Sequence, residues 1–137
     1  MESTAKEIMQ YLADNGVGAI AATSGWSLGV SREIERPDTA ITLYDTGGGE
    51  PNPDIELYES TFQVRVRGRD YLAAYDKQQE IRDLLILPTV RQLGENGLTR
   101  YIGIWMQSDI LNIGRDDNDR ILLTANYRVQ RQPTEVS

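Results

Sequence analysis

Phe62 to Arg67 alternates without a break: Phe62, Val64 and Val66 fall to one side, and Gln63, Arg65 and Arg67 to the other. Only an extended backbone, with its period of two, separates the two sets in this way. The segment therefore reads as a half-buried strand with one apolar face and one wet polar face. A sheet with one apolar face has to bury it against another layer, which restricts the fold to a sheet packed on helices or on a second sheet.

Helices are available to supply that layer. Thr4 to Asn15 has Thr4 and Glu7 at capping-box spacing, an apolar side of Ile8, Tyr11 and Leu12, and a stop at Asn15-Gly16. Asp70 can cap a second, longer helix whose apolar side is Leu72, Tyr75, Ile81, Leu84 and Leu85, ending at Pro88. Further strands are predicted at Leu28 to Ile34, Ala40 to Tyr44 and Tyr101 to Gln107. Ile110 to Ile113 continues the last of these after a kink near Ser108-Asp109. Ile121 to Val129 closes the set, with Leu123, Ala125, Tyr127 and Val129 on one face. Gly16 to Trp26 and Gln92 to Thr99 read as loops, and the chain from Gln130 as a frayed tail. The expectation is one α+β domain over residues 1–137. It has a mixed, mostly antiparallel sheet of about five strands flanked by two helices, in the order α-β-β-β-α-β-β. The segment Asp45 to Glu59, with Gly47-Gly48-Gly49, Pro51 and Pro53, is too long for an ordinary hairpin and reads as a mobile, functional loop.

Composition narrows the function. The chain of 137 residues has no cysteine and no histidine. Disulfides, thiolate metal sites, a Ser-His-Asp triad and the commonest zinc ligand are thereby excluded. With 14 Lys and Arg against 21 Asp and Glu, the net charge is -7, which suits neither wrapping nor specific binding of nucleic acid. Met1 to Gln10 holds charges and no apolar run, and no stretch has the length of a membrane span, so a soluble protein made in a cytoplasm is expected.

Several clusters have the residue types of a site. Gly47-Gly48-Gly49 is followed by Glu50 and Pro51 rather than by the Lys and Ser or Thr of a phosphate loop, which makes it a turn. Asp116-Asp117-Asn118-Asp119 fails the ligand spacing of a calcium loop and reads as a solvated hairpin tip. Glu56 and Glu59 lie in a Gly- and Pro-rich loop that cannot hold paired carboxylates at catalytic spacing. Arg65, Arg67 and Arg69 form a stripe that is either a solvated sheet face or a subunit contact with carboxylates. Trp105 and Tyr101 share a face opposite Ile102 and Ile104, and need cover from a helix or from a neighbouring subunit. No enzyme site, metal site or cofactor site emerges. A divalent-metal enzyme built on Asp116, Asp117 and Asp119 is the rival from another class.

Four segments together resemble a bacteriophage family of minor capsid or tail-completion proteins, similar to tail terminators. They are Tyr44-Asp45-Thr46-Gly47-Gly48, then Gln63 to Arg69, then the helix ending Ile81-Arg82-Asp83-Leu84, then Tyr101-Ile102-Gly103-Ile104-Trp105 with Gln107-Ser108-Asp109 and an acidic turn. The resemblance spans roughly Tyr44 to Arg131, and Gly49 is an addition to the pattern. It implies a virion protein, assembled in the host bacterial cytoplasm, that forms a six-fold ring on the head-facing end of the tail tube. It implies tube protein on one side and head-completion or connector proteins on the other, with no cofactor and no membrane. DNA would pass through an acidic lumen without specific binding. A head-closure, neck or tube protein of the same virion is the nearest alternative. The residues expected at subunit or axial contacts are Asp45, Thr46, Gly47, Gly48, Arg65, Arg67, Trp105, Arg115, Asp116 and Asp117.

Overall fold

The computed structural model describes residues 1–50, 54–86, 90–94 and 97–134. Helix α1 (Thr4–Asp14) is followed by three strands: β1 (Ala19–Ile20), β2 (Ser27–Val30) and β3 (Ala40–Gly48). Strand β4 (Tyr58–Gly68) leads into helix α2 (Tyr71–Leu85). Four strands close the chain: β5 (Arg91–Leu93), β6 (Thr99–Met106), β7 (Leu111–Arg115) and β8 (Ile121–Pro133). All eight lie in one sheet, in the order β1-β2-β3-β4-β8-β6-β5, with β7 also on β8. The β1–β2 and β2–β3 pairs are parallel and all others antiparallel. The sheet is thus mixed and mostly antiparallel as expected, but among the described residues it has eight strands rather than about five.

The spine is the β4–β8 ladder, which pairs Tyr58 with Arg131 at one end and Gly68 with Ile121 at the other. The alternation in the two strands is in phase across it. Phe62 sits opposite Tyr127, Val64 opposite Ala125 and Val66 opposite Leu123, all fully or almost fully buried. The Phe62 and Tyr127 rings stack at 5.1 Å. Cross-strand aromatic pairs of this kind stabilise a sheet beyond the area they bury.

Both helices draw on this same face. Ala5, Ile8 and Leu12 of α1 and Ala74, Ile81 and Leu85 of α2 join a single buried cluster with the inward residues of β3, β4 and β8. Helix α1 touches β1, β2, β3, β4 and β5, and α2 touches β4 and β8, so the curled sheet holds both helices against one core. Asp70 caps α2 as read, accepting from the Leu72 N–H at 3.1 Å. Leu72 itself points to solvent, and Gln78 takes an inward place instead. Its Nε2 donates to the Val64 and Leu123 carbonyls at 2.9 Å each, which keys the helix onto the β4–β8 spine. Pro88 lies outside the described residues.

At α1 the cap is Ser3, one residue earlier than Thr4. Glu7 is free for a different task. It is buried, accepting from the Thr99 and Tyr101 hydroxyls and pairing with Arg131 at 2.9 Å. This charge pair ties the first helix to β6 and to the end of β8, so the frayed tail expected from Gln130 is in fact strand as far as Pro133. Residues 135–137 lie outside the described residues.

Four further readings change. Gly16 to Trp26 contains β1, and Gln92 to Thr99 begins and ends in strand. The strand expected over Leu28 to Ile34 ends at Val30. The Asp45 to Glu59 loop shrinks from both ends, because Gly47 pairs with Thr61 and Gly48 with Ser60 after a bulge. The β6–β7 reading stands: both strands run the same way along one edge of β8, β6 opposite residues 127–133 and β7 opposite 121–124.

Candidate functional site

Side chains on the sheet face turned away from the helices, and at the two ends of the strands, are placed by the ladder register. Gly47, Thr61, Arg128 and Trp105 form one row across four strands. Thr46 Oγ1 bonds Thr61 Oγ1 at 2.7 Å, and the Arg128 guanidinium lies over the Trp105 ring at 5.2 Å. Asp45, Thr46, Gly47, Gly48 and Trp105 thus gather near one pole of the molecule. Asp45 has a structural duty there, since its Oδ1 accepts from the Ala5 N–H at the start of α1, at 2.9 Å. A carboxylate at that position satisfies an orphan helix N–H and suits the helix dipole.

Trp105 is exposed, as its apolar character and expected lack of cover suggested, whereas Tyr101 is buried. A bulge between Tyr101 and Gly103 separates them. It shifts the alternation by one, so Tyr101 and Ile104 face the core while Ile102 and Trp105 face out. The expected pairing of Ile102 with Ile104 on one face is corrected by that bulge.

The other pole holds Arg115, Asp116 and Asp117 in the β7–β8 turn, together with arginines that converge from elsewhere. Arg120 is buried and donates to Asp116 Oδ2 at 2.8 Å and to the Glu35 carbonyl. Arg69 donates to Asp38 Oδ2 at 2.7 Å and to the Asn118 carbonyl at 2.9 Å. Thr23, Glu35, Arg36, Pro37, Asp38, Arg69, Asn118 and Arg120 line a cleft of about 400 Å³. The Arg69 hydrogen bond beside Asp38 holds its carboxyl below the usual carboxylate range. Burial acts to raise Asp116, but hydrogen bonds from Arg120 and from the Asn118 N–H outweigh it, and Asp116 too lies below that range. Both carboxylates stay charged and keep the turn closed. Asp117 is exposed in the same turn and has no ion pair among the described residues.

Arg65 and Arg67 lie between the poles, on the face away from the helices. That face is not wet along its whole length. The segment 31–39 crosses it, and Arg67 is only 3% exposed, donating to the Pro37 carbonyl at 2.8 Å and the Asp38 carbonyl at 3.2 Å. Arg65 pairs with Glu33 at 3.0 Å and lies over the Tyr44 ring. The stripe is committed inside the chain more than the alternation suggested. Asp38, Arg120 and Glu7 are not sequence candidates, because each has a partner 29 to 124 residues away that no local spacing marks, even though Arg120 also pairs with nearby Asp116.

Among the described residues, no group of three or more Asp or Glu could hold a metal ion, and no helix is long and apolar enough to cross a membrane. The chemistry on offer is contact chemistry: two polar poles, exposed strand edges and exposed apolar side chains. Residues 5–133 match the family described as bacteriophage tail terminator protein. The chain belongs to that family. It is accordingly a structural protein of the phage tail. Among solved structures, a chain of the virion of a native gene transfer agent particle shares the fold. The TM-score is 0.70 and the identity 15%, over 95% of this chain and 95% of that one. A second solved structure, 14% identical over 96% of this chain and 91% of that one, superposes at a TM-score of 0.49. No curated protein matches this chain in sequence.

Proposed function

We propose that this tail terminator family member assembles as a closed ring of six on the head-facing end of the tail tube and joins it to the head connector. The family match over residues 5–133 carries this reading. A tube of stacked rings presents the same surface after every addition, so growth stops only when a ring docks whose outer face refuses the next one. Such a ring needs two axial faces with different partners. The arrangement of the poles supports that need. The Asp45 to Gly48 pole with Trp105 is polar and glycine-rich, while the Arg115 to Asp117 pole is a dense arginine–carboxylate cluster. Tube protein meets one of them and head-completion proteins meet the other. Arg65 lies between them, at the height of a lateral contact. The net charge of -7 fits a lumen that DNA crosses without adsorbing. No cofactor, metal or catalytic step enters this role.

The test is a phage from which the protein is removed, followed by electron microscopy of the lysate. The expected outcome is filled heads and separate tails that do not join, with tails of irregular or excessive length. Normal joined particles would overturn the reading. Heads that leak their genome beside tails of uniform length would move the protein to head closure.

A further inference from the structure

A head-to-tail ring requires two different patches on each subunit that fit one another, and it closes only if successive copies are related by rotation without a rise. Two features of this chain supply two such patches. The first is the outer edge of β7. Among the described residues this strand pairs with β8 alone, every residue in it is exposed, and Leu111 and Ile113 stand 56% and 44% open. The second lies at the opposite edge of the sheet. There β1 covers only Ser27 and Leu28 of β2, which leaves Gly29 and Val30 without a strand partner on that side among the described residues. At that step a mainly apolar groove of about 260 Å³ opens, lined by Met9, Ile20, Leu28, Val30 and Ile34 among others.

The two edges lie at the same level. Gly29 pairs with Thr42, Thr42 with Arg65, Arg65 with Thr124, and Thr124 with Leu111. A single cross-strand row therefore joins the groove edge to the β7 edge. Placing β7 of one copy against the groove of the next therefore needs no slip along the strands between the two edges. Charge agrees. Arg32 at the groove and Asp109, two residues before β7, are both exposed, and neither has an ion pair among the described residues.

We infer that the partner of the β1–β2 edge is a second copy of this chain, whose β7 lies along it and seats an apolar side chain, Leu111 or Ile113, in the groove. Repeated around the ring, the contact runs the sheets of neighbouring subunits together edge to edge and hides the two open strand edges that would otherwise invite aggregation. The inference rests on the ring reading above but assigns a contact that the reading leaves open.

The chain has no cysteine, so cross-links can be placed at will. Ile20 and Leu111 are both exposed, and Ile20→Cys and Leu111→Cys leave the core alone. Phage particles carrying I20C/L111C, I20C alone or L111C alone are treated with a short bis-maleimide and resolved on denaturing gels, with the amount incorporated measured by immunoblot. The double variant is expected to give a ladder rising to the ring size, and each single variant to stay at one subunit. Particles that contain the double variant in normal amount but give no ladder would overturn this contact and leave the ring intact. A dimer from L111C alone would also overturn it, since that product marks a two-fold contact between like edges. Failure of the ring itself shows separately, as neck density without closed rotational symmetry in averaged images.

Discussion

Arg65 and Arg67 stand two residues apart on β4, yet the cost of losing them differs. Arg67 is buried against the Pro37 and Asp38 carbonyls. Burial, and then the neighbouring Arg120 charge, pull its pKa down from the ordinary arginine value, although it remains a cation. Removing it strands two carbonyls and leaves a cavity, so Arg67→Ala is expected to destabilise by roughly 3 kcal/mol. Arg65 is partly open to solvent and holds Glu33 and the Tyr44 ring, so Arg65→Ala is expected to cost about 1 kcal/mol or less. Urea unfolding of the two variants measures this difference, and equal midpoints would contradict it. An assembly test by charge reversal is therefore clean only at Arg65, whereas at Arg67 it would also damage the fold. The sequence alternation placed both arginines correctly on the outer face. It could not show that the segment 31–39 crosses that face, because this cover comes from about 30 residues upstream and leaves no periodic mark.

Elements with regular apolar spacing were legible: α1, the cap of α2, β4, the inward face of β8 and the β6–β7 kink. Short edge strands were not. β1 and β5 have too few residues to show a period, and their pairing depends on neighbours rather than on their own pattern. The β3–β4 connection was misread for a related reason. Glycine triplets signal loops, yet here Gly47 and Gly48 extend β3 because a bulge turns the strand through positive φ, +95° and +147°. A Cβ on Gly48 would lie 2.1 Å from the Glu59 carbonyl oxygen. Gly48→Ala is therefore expected to open this end of the β3–β4 ladder. Hydrogen exchange in the free wild-type protein should show protected amides at Thr61 and at Gly49, whose N–H donates to the Glu59 carbonyl at 3.0 Å. In Gly48→Ala the Gly49 amide should exchange much faster, with Val64 unaffected. Fast exchange at Gly49 in the wild type would restore the mobile-loop reading.

At the scale of the whole molecule, the β4 ladder sets the distance between the poles. Ser60, opposite Gly48, and Gly68, opposite Ile121, are eight steps apart on one strand, about 26 Å at the usual strand rise. One pole can therefore touch the tube while the other touches the head, and no side chain reaches both. This separation makes the two roles independently mutable. Thr46 and Asp117 are both exposed, and Thr46→Lys and Asp117→Lys each change one pole and leave the core untouched. Stability should move by no more than about 0.5 kcal/mol in either case. Adding a lysine near a fitted axial contact imposes charge mismatch there, and its effect falls off over the Debye length, about 8 Å at physiological salt, well short of the other pole. Electron microscopy of the two mutant lysates is expected to show two different defects. One variant should leave tails of regular length, capped but without heads, because only the head contact fails. The other should leave uncapped tails of uneven length, because the ring no longer docks on the tube. The same defect from both variants would mean that the poles do not face separate partners, and the axial orientation of the subunit would have to be abandoned.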